Sequence, residues 1–550
     1  MYCNIESARC KTVAVFLRYK KESPAGGSKL YFPPVLVFLS FLLIIEMKKD
    51  ITAGSASAAG PRLLKTNTTI LGQEADRMIE FGTGGWRAVI GDGFIKENIQ
   101  RIAAALARRM KREGCAEAGL CVGYDRRFLS REACIWFAEV LAGEGVLVRF
   151  VNLSCPTPQI MFTVKHLDLP YGAMVTASHN PAIYNGIKLF TRGGRDATEL
   201  VTAPIQEEAN AVALSNIRVT PFEEALKSGA IQFIDPRDAY LDSILAQIDT
   251  DAIRRRRLRV VLDPMYGVSL TGLMTILYTA RCDVDVINDR HDAFFGRHLP
   301  APTPETLADL QQAVRAHNAC VGIATDGDAD RLGIIDEEGN YVSANEILAV
   351  LYDYLLKYKG WRGPAVRNLA TTHLLDRVAE AYGEKCYEVP VGFKHISSGM
   401  EEHNALIGGE SSGGLTVRGH ISGKDGLYAA SLLVEMLSVT GKTMSGLIRD
   451  LYDRFGEMHT AEFDWALTPE NKARIQKKVM EDRQLPVFRH PIQRVNYMDG
   501  CKVYFENAWV ILRFSGTEPR VRIFAEDDTI HHAKTLVGTM ADFVGLPFDA

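Results

Sequence analysis

The feature that most constrains this chain is a recurring alternation. Short apolar runs end on small or polar residues, and each is followed by a stretch with helical spacing. Runs at 120–124, 147–151 and 171–175 keep this rhythm, as do 260–263, 283–287 and 321–325. Short, largely apolar runs of this kind suit strands buried in a sheet, and intervening helices supply the cover, so mostly parallel sheets are expected. Helices are expected at 95–112, 131–142, near 271, near 303, at 344–358 and at 427–439. Gly82-Thr-Gly-Gly-Trp-Arg87 reads as a glycine-rich turn carrying one arginine. The alternation divides into three similar α/β units at 78–216, 217–342 and 343–456. The remainder, 457–550, changes character: strands at 502–506, 509–514 and 520–524 between helices predict a small α+β domain. At 550 residues the chain exceeds what one core supports, and several domains follow.

The first 77 residues do not share this pattern. An apolar segment at 35–45, broken only by Ser40, is too short to span a bilayer comfortably, and no stable membrane association is expected. The basic stretch ahead of it is long and contains Pro and Gly, unlike a signal peptide. Ala53-Gly-Ser-Ala-Ser-Ala-Ala-Gly60 has the composition of a flexible linker. Residues 1–77 are therefore expected to be a disordered leader or sequence upstream of a natural start at Met47 or Met78. A net charge of −4 gives no reason to expect nucleic-acid binding, and Arg254-Arg-Arg-Arg257 reads as a solvated approach to a strand. Ten cysteines without C-x-x-C pairs suggest reduced thiols and the cytoplasm.

Two loops carry chemistry. Thr176-Ala-Ser-His-Asn-Pro181 follows the run at 171–175, which sets the Ser178 hydroxyl at a strand end, the rim where open α/β sheets bind ligands; a plain polar loop is the other reading. Ser178 has no G-x-S-x-G elbow, and His179 beside it cannot be assumed to be its base, which tells against acyl transfer. Asp326, Asp328 and Asp330 follow the run at 321–325. Alternate carboxylates there can converge on Mg²⁺ or Ca²⁺, against a solvated acidic turn. An EF-hand is excluded, since Arg331 stands where that loop needs glycine. Arg331 is placed to hold an oxygen of a transferring group. A serine brought to a metal in a phosphate-lined cleft would carry a phosphoryl group.

Thr176-Ala-Ser-His-Asn-Pro181, Asp326-Gly-Asp-Ala-Asp-Arg331, Gly409-Glu-Ser-Ser-Gly-Gly414 and Arg513-Phe-Ser-Gly-Thr-Glu-Pro519 resemble, in this order, the four signatures of the α-D-phosphohexomutases, the phosphoglucomutase/phosphomannomutase superfamily. Phe81-Gly-Thr-Gly-Gly-Trp-Arg87 is similar to the family's opening segment. The resemblance spans about residues 78–550. It implies four domains around a central cleft, with Ser178 as phosphoserine and Mg²⁺ held by Asp326, Asp328, Asp330 and the Ser178 phosphate. It implies that Glu410 and Ser412 hold sugar hydroxyls, and that Arg513, Ser515, Gly516 and Thr517 grip the non-reacting phosphate. Lys188 and Arg87 match the family's lysine and N-terminal arginine, candidates for proton management and charge stabilisation. Gly392-Phe-Lys-His395 resembles its sugar-sorting loop, giving Lys394 and His395. Lys188 as a surface lysine and His395 as a loop histidine remain open alternatives. Two departures stand out. Gly414 replaces a histidine found in some members, and Phe514 stands where a small residue or proline is frequent.

The implied reaction interconverts glucose 1-phosphate and glucose 6-phosphate through a 1,6-bisphosphate, which also serves as activator. Mannose is the close alternative sugar. Glucosamine phosphate fits less well, because members acting on it usually read Glu-Gln-Ser-Gly-His. A serine-dependent phosphatase and a non-catalytic sugar-phosphate binder are the rivals from other classes. Hexose phosphates are the implied partners, and the chain is expected as a monomer or homodimer.

Overall fold

The runs at 120–124, 171–175 and 321–325 become strands neither of whose faces meets water, whereas Asp283–Val286, at a sheet edge, is half-exposed. In the computed structural model, which describes residues 78–82, 84–515 and 519–548, every residue of Leu120–Tyr124 and Tyr171–Val175 is buried. The leader expected at 1–77 and the pair Gly516 and Thr517 lie outside the described residues.

The first sheet contains β1 (Phe81–Gly82), β2 (Gly85–Val89), β3 (Leu120–Tyr124), β4 (Val148–Val151), β5 (Tyr171–Val175), β6 (Tyr184–Thr191), β7 (Arg195–Asp196) and β8 (Ile231–Ile234). Its order is β1-β2-β6-β5-β3-β4-β8, with β7 beside β6. Strands β5, β3, β4 and β8 run parallel, β6 returns antiparallel to β5, and β2 pairs antiparallel with β6. The helix Lys96–Arg112 covers one face with Ile99, Ile102, Leu106 and Met110, spaced three or four apart along one stripe.

The second sheet, β9 (Arg259–Asp263), β10 (Asp283–Val286), β11 (Val321–Thr325), β12 (Leu332–Ile335) and β13 (Tyr341–Val342), has the order β10-β9-β11-β12-β13. The third, β14 (Ala365–Asn368), β15 (Cys386–Val389), β16 (Ile407–Gly409) and β17 (Leu415–Val417), has the order β15-β14-β16-β17. All three sheets share one device. The last parallel strand turns back into an antiparallel neighbour, at β5–β6, β11–β12 and β16–β17. The fourth sheet, β18 (His459–Ala466), β19 (Arg494–Asn496), β20 (Cys501–Tyr504), β21 (Trp509–Phe514) and β22 (Arg520–Asp527), is antiparallel throughout, with the helix Ile530–Val544 packed on it. Mixed, largely parallel sheets followed by an α+β domain agree with the expectation.

The first three units share a continuous apolar core, which takes in Met174, Leu262, Ile323, Ile407 and Leu427. The fourth has its own, built on Val503, Val510, Ile523 and Val537. Among the described residues no helix is long and apolar enough to cross a membrane.

Three local expectations change. Residues 82–87 are not a turn alone: Gly85–Val89 pairs with β6, and Gly85 is required both by its φ of 103° and because a Cβ there would meet the Ile187 carbonyl oxygen at 2.6 Å. The helix expected near Thr303 begins at Ala308, since Thr303 and Thr306 bond each other in a turn that follows Pro302 and contains Pro304. The boundary at 216/217 falls before β8, which pairs with β4 in the first sheet, so the second sheet starts only at Arg259.

Candidate active site

The three returns between parallel and antiparallel strands hold the residues singled out above. Ser178 lies between β5 and β6, the aspartates between β11 and β12, and Glu410 and Ser412 between β16 and β17. Arg513 and Ser515 stand at the corresponding turn from β21 to β22. Each of the three returns is anchored by a paired ladder, so its side chains project from the strand ends with little backbone freedom.

Ser178 is fully buried, and its Oγ donates to Asp326 Oδ2 at 2.9 Å. The serine loop is fixed by one guanidinium. Arg127 donates to the carbonyls of Ser178 (2.5 Å), Asn180 (2.7 Å), Pro181 (2.9 Å) and Tyr184 (3.1 Å), and lies 3.4 Å from Asp125 with both side chains inaccessible. Asp125 in turn accepts from Thr176 Oγ1, which receives the Ser178 N–H. His179 Nδ1 is 3.4 Å from Ser178 Oγ, long for a working hydrogen bond. Burial, with Arg331 and Arg87, holds that imidazole well below its usual value, so the ring is neutral.

Asp326, Asp328 and Asp330 are buried and present carboxylate oxygens within 4.8 Å of one another. Lys188 Nζ donates to Asp328 Oδ2 (2.7 Å) and Asp330 Oδ2 (2.8 Å), and Lys424 Nζ lies 3.0 Å from Asp330 Oδ2. Arg331 stands 4.0 Å from Asp326 and 3.9 Å from Asp330. Burial pushes Asp326 well above the ordinary carboxylate range, reinforced by the Asp330 and Asp328 charges. For Asp330 burial is outweighed by Lys188, Lys424 and Arg331, which hold it well below. Burial alone would lower Lys188, but Asp328 and Asp330 outweigh it and raise the ammonium. The Oδ1 atoms of Asp328 and Asp330 are buried with no hydrogen-bond partner, a costly arrangement for carboxylates unless a cation engages them. Hard, anionic, partly unpartnered oxygens beside a serine hydroxyl fit Mg²⁺.

The remaining residues divide between contacts within the cluster and contacts across units. Arg87 donates to Asn180 Oδ1 (2.8 Å), and burial followed by the charge of Arg331 lowers its guanidinium. Glu410 Oε1 accepts from Asn368 Nδ2 (3.0 Å) and the Gly392 N–H (3.1 Å), with Ser412 Oγ 3.5 Å from its other oxygen. Lys394, in the first turn of Phe393–Glu402, is bonded to Glu199 of the first unit. His395 beside it is lowered by burial and then by Lys394. Arg513 Nε donates to Asp499 at 2.9 Å. The metal and sugar loops are joined through Leu332 N–H to the Gly413 carbonyl (3.0 Å).

Family models match all four units in order along the chain. Those described as phosphoglucomutase/phosphomannomutase alpha/beta/alpha domains I, II and III match residues 78–215, 238–339 and 343–455, and the C-terminal domain model matches 471–543. The curated phosphoglucomutase/phosphomannomutase of Thermococcus kodakarensis is 32% identical over 448 residues, covering 81% of this chain and 94% of its own. The chain belongs to the phosphoglucomutase/phosphomannomutase family. Members of this phosphohexomutase family are isomerases, phosphotransferases that interconvert sugar phosphates. A Methanopyrus kandleri relative assigned as a phosphoglucosamine mutase is 28% identical, over 84% of this chain and 97% of its own. A solved Thermus thermophilus structure described as a phosphomannomutase superposes with a TM-score of 0.74 at 30% identity, over 85% of this chain and 99% of its own.

Against that phosphohexomutase frame, three side chains stand out that sequence reasoning missed. Thr157 Oγ1 donates to Asp328 Oδ2 (2.6 Å) from a helix start that no motif marked. Arg127 reads in sequence as an ordinary basic residue after a strand. Lys424, in Gly423-Lys-Asp-Gly426, fills space left by glycine: a Cβ on Gly414 would lie 2.2 Å from Lys424 Cδ. The Lys424 methylenes pack over Gly414, and its ammonium reaches Asp330. The doubled glycine Gly413-Gly414 was the available signal.

Proposed function

We propose that this mutase interconverts α-D-glucose 1-phosphate and glucose 6-phosphate through phospho-Ser178 and glucose 1,6-bisphosphate, with mannose phosphates as the second substrate pair. The observation that carries this reading is the Ser178 hydroxyl hydrogen-bonded to a buried aspartate cluster that retains unpartnered oxygens. Asp326, Asp328 and Asp330 would hold Mg²⁺, which supplies positive charge for the phosphoryl oxygens.

In the forward step the phosphorus–Oγ bond of phospho-Ser178 breaks as a bond forms to the free sugar hydroxyl, whose proton ends on Ser178 Oγ. The bisphosphate turns over and returns its other phosphoryl group to Ser178. Arg87, Arg331 and the Lys188 ammonium supply fixed positive charge around the transferring group. Against burial, Asp328 and Asp330 raise the Lys188 ammonium, which keeps it charged beside the transferring group. Glu410 and Ser412 take sugar hydroxyls, Lys394 and His395 line the sugar loop, and Arg513 and Ser515 grip the distal phosphate with Gly516 and Thr517. Dense burial around Ser178 supports transfer over hydrolysis, because water is held away from the phosphoserine. Free thiols at each of the eight described cysteines accord with a cytoplasmic setting.

The test is a coupled assay with Mg²⁺, a trace of glucose 1,6-bisphosphate and glucose 1-phosphate, mannose 1-phosphate or glucosamine 1-phosphate. Turnover of the first two with an inactive Ser178→Ala variant is expected. Stoichiometric release of inorganic phosphate would mean a phosphatase, and preference for glucosamine 1-phosphate would overturn the substrate assignment.

A further inference from the structure

Asp499 belongs to none of the four signature loops, yet it touches two of the parts that the proposed reaction needs. It sits in the turn between β19 and β20 of the fourth unit. Its Oδ2 accepts two hydrogen bonds, from Arg513 Nε at 2.9 Å and from the Val391 N–H of the third unit at 3.0 Å. Val391 leads directly into the sugar-loop segment. The next residue, Gly392, gives its N–H to Glu410, and Lys394 and His395 both feel the Asp499 charge. One oxygen atom therefore joins the arginine assigned to the distal phosphate with the backbone that carries the sugar contacts, across the boundary between two separately built cores.

We infer that Asp499 is a positioning residue that ties the phosphate grip of Arg513 to the sugar loop and thereby contributes to the choice of hexose. The inference rests on the mutase reading above. A carboxylate on Nε orients the plane of a guanidinium and leaves its other edge to face a phosphate. Because Arg513–Asp499–Val391–Gly392–Glu410 is a continuous chain of short contacts, the distance from phosphate to sugar hydroxyls is set by protein and not by the substrate alone. A reaction that accepts a bisphosphate in two orientations needs that distance held in both. Loss of Asp499 frees both ends together: the guanidinium turns about its stem, and the Val391 N–H loses its acceptor.

The experiment compares wild type with Asp499→Asn, Asp499→Ala, Arg513→Ala and the double variant Asp499→Ala/Arg513→Ala. Values of kcat and KM are taken for glucose 1-phosphate and mannose 1-phosphate at fixed bisphosphate, alongside melting temperatures. For Asp499→Ala the expected result is a KM raised roughly tenfold with a smaller fall in kcat, a misplacement effect. The glucose-to-mannose ratio of kcat/KM should shift by about threefold or more, and the two alanine effects should be strongly non-additive in the double variant. Asp499→Asn, which keeps an acceptor oxygen of the same shape, should melt like wild type and restore most of the wild-type KM and sugar ratio. Unchanged KM and sugar ratio in Asp499→Ala, or a lowered melting temperature with kinetics intact, would overturn the inference and leave the mutase reading standing. Wild-type protein that turns over no hexose phosphate would overturn the mutase reading and take this inference with it.

Discussion

Ser178 carries a backbone φ of 53°, the left-handed region that costs a residue with a Cβ about 1–2 kcal/mol. The loop holds it there through Arg127, whose guanidinium replaces water for four carbonyls at once. Strain that persists under such constraint marks a residue whose direction matters. Arg127→Met should therefore remove about 3–5 kcal/mol of stability, measured by denaturant titration, because it strands Asp125 as a buried charge. Ser178→Ala should leave the melting temperature near that of wild type while turnover falls by at least about a thousandfold. Chelation of Mg²⁺ should abolish turnover reversibly and lower the melting temperature, since ligand at a hundred times its Kd adds about 2.7 kcal/mol.

Among the elements, the strand-to-antiparallel return recurs in all three α/β sheets. The parallel strands that enter it were legible in sequence because burial on both faces leaves an uninterrupted apolar run, and 171–175 and 321–325 match to the residue. The return strand β6 escaped detection because its polar members, Asn185 and Lys188, turn inward onto partners that belong to other segments. Sequence motifs likewise named the aspartates but not Thr157, Arg127 or Lys424, whose roles exist only once distant loops meet. Gly414→Ala tests one such meeting: the new Cβ displaces Lys424 from Asp330, and turnover should drop about tenfold while stability changes by less than about 1.5 kcal/mol. The capping box at Ser343 and Glu346 was unmarked too; Ser343→Ala should cost about 1 kcal/mol in thermal unfolding.

At the scale of the whole molecule, three units are fused by a shared apolar core, whereas the fourth keeps its own and meets the third through a small apolar cluster (Leu369, Trp509 and Ile511) and a buried polar junction. Lys502, fully inaccessible, donates to the Leu369 carbonyl (2.6 Å) and Glu388 (2.7 Å), and Arg367 bonds the same carboxylate at 2.6 Å. Burial would raise Glu388, but His373 and those two cations outweigh it and hold the carboxyl well below its usual value. A carboxylate depressed on folding adds stability above its unfolded pKa of about 4.3, and loses it as pH falls below that point. Acid titration should accordingly loosen the fourth unit as pH drops under about 4.5, an effect that Glu388→Gln should blunt.

The repeated return has a final implication. Each reactive turn is a few residues hung between two clamped ladders, so its side chains can be exchanged like bits in a chuck. A lineage built this way can drift from one hexose to the next by rewriting a handful of codons, with no strand having to find a new neighbour.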